Sequence, residues 1–215
     1  MATTLQPSPS IKLPGPGNGA SNGSGHARCV LVRDSAAPST GIWVALAAIT
    51  MTFAAFTSAM IVRQGSGNDW RHFAFPIILY WNTAVLGASS VTLQMARRRF
   101  AFASADLGEH SASVLRALYG TLVLGCTFVI GQYAAWHELR AERLYLASAA
   151  SSSFFYVFTV LHALHVIGGL IGLAYVISKL HRGILRLNTL TAASQYWHFM
   201  ALLWVYLLLL LRTRI

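Results

Sequence analysis

Residues 151–178 read SSSFFYVFTVLHALHVIGGLIGLAYVIS, an apolar run that holds two histidines and no Asp, Glu, Lys or Arg. At 1.5 Å rise per residue, about 20 apolar residues cross a hydrocarbon core of roughly 30 Å, so the run is a membrane-spanning helix with length to spare for tilt. It belongs to the fourth of five such spans, at about residues 41–62, 73–96, 117–136, 145–178 and 189–211, none of which contains a formally charged residue. All six acids (Asp34, Asp69, Asp106, Glu109, Glu138 and Glu142) lie outside the spans, as do all sixteen Lys and Arg. A charge at the bilayer centre costs about 2.5 to 3.5 kcal/mol on insertion scales, and its complete exclusion favours true spans over buried helices of a soluble core. The expected fold is all-α: a polytopic integral membrane protein with five transmembrane helices in a bundle.

With 55% hydrophobic and only 10% charged residues, the chain has too little polar surface to cover a water-soluble core. The net charge of +10 does not point to nucleic acid, since the basic residues are scattered at the ends of apolar runs with no aromatic-interleaved basic face. Of the two cysteines, Cys29 lies before the first span and Cys126 inside the third, a placement with neither metal-ligand spacing nor disulfide logic. Residues 1–40 are rich in Gly, Pro, Ser and Asn and lack apolar periodicity, so they read as a disordered cytoplasmic tail before the 41–215 transmembrane domain. They also lack the basic start and apolar core of a cleaved signal peptide, which leaves targeting to the first span.

The distribution of basic residues orients the bundle. On one side of the alternating segments lie ten: Lys12, Arg28, Arg33, Arg97, Arg98, Arg99, Arg116, Lys179, Arg182 and Arg186. The other side has six, Arg63, Arg71, Arg140, Arg143, Arg212 and Arg214. The positive-inside rule then puts the N-terminus in the cytoplasm and the C-terminus outside, with the triplet at 97–99 as the firmest anchor. Trp43, Trp70, Trp81, Tyr133, Trp136, Tyr145, Tyr196 and Trp197 mostly fall near span ends, where amphipathic rings anchor at the headgroups.

Candidate chemistry is confined to polar residues inside the spans. His162 and His165, three apart, share a helix face with Thr159 and Gly169, and Gly168 and Gly172 follow at the small-xxx-small spacing that lets helix backbones approach closely. His162, His165 and His198 are conceivable haem or metal ligands. A bis-His haem needs ligands at matching depth, whereas His165 lies well inside its span and His198 near the start of the last one. Hydrogen bonding to Ser, Thr or carbonyl groups of neighbouring helices is therefore the preferred reading of these histidines, and of Asn82, Thr83, Ser89, Ser90 and Gln132, with Thr159, Gly168, Gly172 and Trp197 also placed at interhelical contacts. The other histidines fall in the tail and loops, too few and too scattered for a metal cage.

Four stretches taken together resemble one family. Phe154–Leu170, FF-x-x-T-x-x-H-x-x-H-V-I-G-G-L, is similar to a helix of subunit III of haem-copper terminal oxidases. Tyr196-Trp197-His198-Phe199 with Trp204 and Tyr206 resembles the helix that closes that family. Pro76, Asn82-Thr83 and Ser89-Ser90 resemble its P…NT…SS helix, and Gly125, Phe128, Gln132 and Trp136 its G-x-x-F…Q…W helix. The motifs stand in the family's order across residues 43–211. The resemblance implies a short, five-helix form without the first two of seven spans, and a multi-pass location in the bacterial plasma membrane. It also implies a non-catalytic accessory role in cytochrome c oxidase, with no catalytic, cofactor or metal residues of its own. Haem and copper would belong to partner subunits I and II. Relatives lodge phospholipid in a cleft beside their first two helices, so bound lipid is expected here only in a reduced cleft. Positions where many relatives carry acids are occupied by Ile49, Ala135 and Ala201 in this chain, a departure that argues against carrying over a proton-antenna or uptake role. A quinol oxidase or nitric oxide reductase would use the same kind of subunit. A stand-alone di-haem cytochrome is a rival of another class, and a small transporter is disfavoured by the lack of an inverted repeat or intramembrane charge.

Overall fold

The computed structural model describes residues 37–66, 77–102, 107–141 and 150–214, with the side chains of 37–39, 107–111 and 150 undescribed. The tail at 1–36, where disorder is expected, lies outside the described residues, as do Trp70 and Tyr145. Five helices make up the described chain: α1 (Ala37–Ser66), α2 (Ile78–Phe102), α3 (Leu107–Ala141), α4 (Ala150–His181) and α5 (Leu187–Arg214). Several outrun their apolar runs, because hydropathy marks only the hydrocarbon-facing part while the backbone hydrogen-bond ladder continues into the charged ends. Glu138, for example, lies in the last turn of α3 and is exposed.

Four segments, Thr40–Ser66, Ala112–Ala141, Ser151–His181 and Leu187–Arg214, are long and apolar enough to cross a membrane. α2 is not among them. It ends in the arginine triplet and carries Asn82, Thr83, Ser89, Ser90, Thr92 and Gln94, which dilute its hydropathy.

A ring of four helices forms the core: α2 packs on α3, α3 on α4, α4 on α5, and α5 back on α2. α1 stands outside the ring and touches only α4 and α5. The α2–α3 pair follows a heptad. Leu79, Asn82, Leu86, Ser89, Leu93, Ala96 and Phe100 are the buried residues of α2, and Val114, Leu118, Thr121, Gly125, Phe128, Gln132, Ala135 and Leu139 those of α3. Alternating steps of three and four keep both rows on the inner side of an antiparallel pair, where they meet each other and the α4 and α5 side chains inside the ring. Thr92 bonds Thr121 at 2.9 Å and Asn82 reaches the Phe128 carbonyl at 3.5 Å, which fixes the register.

Between α4 and α5 the chain reverses at Gly183, whose φ of 68° is left-handed. Ile184 N–H bonds the Lys179 carbonyl at 3.1 Å and Gly183 N–H the Leu180 carbonyl at 3.0 Å, a Schellman closure that needs a residue without a Cβ penalty. The short link makes α4 and α5 antiparallel neighbours. α1 runs parallel to α5: Thr57 meets the Tyr206 hydroxyl at 3.1 Å, and Gln64 donates to the Arg214 carbonyl at 3.3 Å. Only a narrow stripe of α1 is covered, chiefly Leu46, Ile49, Phe53 and Met60, while Trp43, Met51 and Val62 are exposed. An outer surface this apolar suits lipid or another membrane helix, not water.

Candidate functional site

The interior of the ring is cross-linked by three indoles. Trp204 on α5 donates its Nε1–H to Thr83 Oγ1 on α2 at 3.0 Å. Trp197, about two turns earlier on α5, donates to Ser89 Oγ on α2 at 2.9 Å, and Trp136 on α3 donates to Thr159 Oγ1 on α4 at 3.0 Å. In each case the accepting hydroxyl passes its own proton to a carbonyl of its helix: Thr83 to Leu79 at 2.9 Å, Ser89 to Leu86 at 2.7 Å, Thr159 to Phe155 at 2.8 Å. Such a hydroxyl loses nothing by lying in hydrocarbon, because its donor is satisfied locally, and it remains free to accept an N–H from across the gap. The indole likewise buries a large apolar body without leaving its donor unpaired.

This arrangement corrects the lipid-anchor reading of Trp136, Tyr196 and Trp197, the last of which the sequence also places at an interhelical contact. Trp197 is buried, and Trp136 is half-buried and bonded to Thr159, so both face protein. Trp43, Trp81 and Tyr133 are exposed, as headgroup anchors would be. The distinguishing signal was present in the heptads: Ser89 falls on the buried seam of α2, and a serine there calls for a donor on a facing helix.

The histidines differ from one another. His162 is fully buried and is held by rings instead of a hydroxyl, with Phe128 edge-on at 5.8 Å between centroids and Trp204 at 5.1 Å. His165 turns its Nδ1 to the carbonyl of Leu161 on its own helix at 2.7 Å and packs on Phe53 of α1. Its backbone carbonyl receives the Tyr196 hydroxyl at 2.9 Å, a link from α4 to α5. His198 lies within 3.4 Å of Gln94 Oε1 on α2. The expectation of a Ser, Thr or neighbouring-helix carbonyl as partner is thus not met at His162 or at the His165 ring. Nor does it hold for Ser90, whose Oγ has no hydrogen-bond partner among the described residues, or for fully buried Gln132. At His162 the neighbours shown are the Phe128 and Trp204 rings, which turn no hydroxyl or carbonyl to its nitrogens. Among the described residues, no three His, Cys, Asp or Glu side chains gather as a metal-binding group. Cys126 is exposed on the outer face of α3.

Close helix approach occurs at glycines, although not at the expected pair. A Cβ on Gly169 would come within 3.0 Å of the Tyr196 ring and 3.2 Å of Trp197, and one on Gly125 within 2.7 Å of Leu170 and 2.8 Å of Trp197. At Gly131 an added Cβ would collide with the Asn82 carboxamide, which lies against the α3 backbone there. Gly168 and Gly172 are exposed within this chain, and around Gly172 an added Cβ meets nothing within 4 Å. Together with Ile42, Leu93, Leu173 and Ala193 they line an apolar groove of about 330 Å³ where α1 stands away from the ring.

The pattern has counterparts in known proteins. The family model described as cytochrome c oxidase subunit III matches residues 42–213. A protein of Nocardia farcinica named probable cytochrome c oxidase subunit 3 is 33% identical over 179 residues, which cover 78% of this chain and 83% of that protein. Cytochrome c oxidase subunit 3 of Corynebacterium diphtheriae is 29% identical over 177 residues, with the same coverage of each chain. The heme-copper oxidase subunit I+III of Aeropyrum pernix is 28% identical over 173 residues, 77% of this chain but 21% of that longer protein.

Proposed function

The chain belongs to the cytochrome c oxidase subunit III family, and from that premise we propose that it is the non-catalytic member of its complex, covering and stabilising the subunit that reduces oxygen. It is an accessory subunit III of a haem-copper oxidase. The single observation that best supports the non-catalytic reading is the fate of its interior polar groups. Thr83, Ser89 and Thr159 are each engaged twice, once by an indole and once by a backbone carbonyl, in spans that contain no acid. A proton relay needs groups free to exchange partners, and a metal centre needs converging ligands. The interior favours holding helices together.

The partner in this reading is subunit I, with subunit II completing the complex and the haem and copper held outside this chain. The relative named subunit I+III, in which the match is a minor part of one longer chain, supports that pairing. α2 serves as the fifth span, because α2 and α3 are bonded along their length, from Thr92–Thr121 to Asn82–Phe128, and a helix bonded along its length to a span shares its depth. The basic residues favour a cytoplasmic N-terminus in a bacterial plasma membrane. The groove beside Gly168 and Gly172 is apolar and open to a helix of subunit I, with a phospholipid acyl chain as the other occupant of matching chemistry.

Purified oxidase with and without this chain tests the proposal by haem absorbance, initial rate, proton-to-electron ratio and endurance in turnover. The expected result is an unchanged haem spectrum and a near-normal initial rate that declines during turnover as the uncovered partner loosens. Immediate loss of haem absorbance, or of pumping while the remaining complex stays assembled, would overturn it.

A further inference from the structure

We infer that Gln132 and His162 share one enclosed water molecule at the centre of the helix ring, a binding site made of an amide and a neutral imidazole on facing helices. Both side chains are fully buried. Among the described residues, neither polar atom of the Gln132 carboxamide and neither ring nitrogen of His162 has a hydrogen-bond partner. Two unsatisfied side chains in one bundle could be unrelated, but the register brings these together. Trp136 bonds Thr159 one turn beyond Gln132, and Gly125 faces Leu170 about two turns before it. Between those two points the antiparallel α3–α4 register sets position 132 opposite position 163, next to His162. Phe128, one turn before Gln132 on the same buried seam, already touches the His162 ring.

The chemistry of the pair selects water. A carboxamide presents two donors and two acceptor lone pairs, and a neutral imidazole one donor and one acceptor. The surrounding groups cannot meet that demand. Phe128 and Trp204 offer ring faces and edges, the Trp204 N–H is given to Thr83, and the Phe128 carbonyl already receives Asn82. A direct amide–imidazole bond would satisfy one donor and one acceptor only. One water can accept from the Gln132 amide N–H, donate one proton to the unprotonated His162 nitrogen and the other to Gln132 Oε1, which matches the roughly three bonds that buried waters make. In hydrocarbon there is no bulk solvent to do this, so the molecule must be enclosed when the bundle forms.

A density map of the intact oxidase at a resolution that shows ordered water is the direct test. A peak within hydrogen-bond distance of one Gln132 amide atom and one His162 nitrogen is expected. A direct amide–imidazole bond, or rings and amide packed with no peak between them, would overturn the inference. Gln132→Leu, His162→Leu and the double variant, made in the complex, add an energetic test. Each single change should shorten the thermal half-life of the assembled complex on the order of 5-fold by stranding the water and the other partner. The double variant should be no worse than the worse single, whereas a loss equal to the product of the two would show that they share nothing. If the single variants do not assemble, the map of the native chain still decides.

Discussion

Two glycine-to-alanine changes, Gly125→Ala and Gly172→Ala, should have opposite signs. Alanine is favoured over glycine in a helix by up to about 1 kcal/mol, so each change starts with a gain. At Gly172 nothing lies within 4 Å of the added carbon, and the gain stands. At Gly125 the methyl lands 2.7 Å from Leu170 Cδ2 and 2.8 Å from Trp197 Cη2. The leucine tip can rotate away. The indole cannot follow, because Gly169 closes its far edge and Ser89 holds its Nε1 at 2.9 Å. Overpacking a closed site costs about 1 to 3 kcal/mol, and releasing the Ser89 bond about 0.6 to 1.7 more. The net for Gly125→Ala is therefore a loss on the order of 1 to 2 kcal/mol, and the two variants should differ about 30-fold or more in unfolding equilibrium. Thermal unfolding of the purified chain in detergent, followed by helical signal, measures the difference. Equal tolerance of both alanines would refute the claim that the indole is pinned between α2, α3 and α4.

Three further outcomes are expected. Trp197→Phe combined with Ser89→Ala should give a double-mutant coupling of about 0.6 to 1.7 kcal/mol, and a coupling near zero would remove the α5–α2 bond from the account of stability. Gly168→Leu, in the groove, should reduce copurification with subunit I more than Ile171→Leu does; identical recovery would show that this face meets lipid and not the partner. A reporter fused after Ile215 should be active only in the periplasm and one inserted near Gly108 only in the cytoplasm, and the reverse would invert the orientation.

How far the sequence disclosed the molecule depends on which physical rule each feature obeys. Charge exclusion and span length are averages over many residues, so five helices were legible together with their order. The 73–96 run reads as a span by its freedom from charge, but α2 is not among the helices apolar enough to cross a membrane, because its seven-residue seam contains Asn82 and Ser89, which pair inside the protein and lower its hydropathy. Faces were harder to assign. Gly168, Gly169 and Gly172 look alike as small residues, and only the angle of α5 decides that Gly169 takes Tyr196 and Trp197 while its neighbours face the groove. Trp197 near a span end reads equally as a lipid anchor or a buried donor, and the difference lies in Ser89, far away in sequence. His162 was placed on a protein-facing side by its spacing from Thr159, but its aromatic cage draws on α3 and α5, which periodicity within α4 cannot reveal.

The positions where resemblance leads one to look for acids bear on what the bundle does. Ile49 and Ala135 are in the core, and Ala201 is partly buried against it. Ile49 lies one turn from Phe53, whose ring packs on Phe158 and His165, and Ala135 precedes the Trp136 that bonds Thr159. A carboxyl at either place would have to be held neutral or find a partner, since an unpaired charge there is costly. The groups shown beside these positions are the Phe53, Phe158 and His165 rings and Trp136, and the Thr159 hydroxyl that Trp136 reaches is already bonded on both sides. The side chains around these positions are therefore fitted to apolar occupants as a set, and restoring one acid alone would not recreate a relay. Ala135→Glu should accordingly lower the yield of folded chain without changing the proton-to-electron ratio of whatever complex still assembles. A rise in that ratio would show that the interior can carry protons and that the apolar residues, not the network of bonds, are what withhold them.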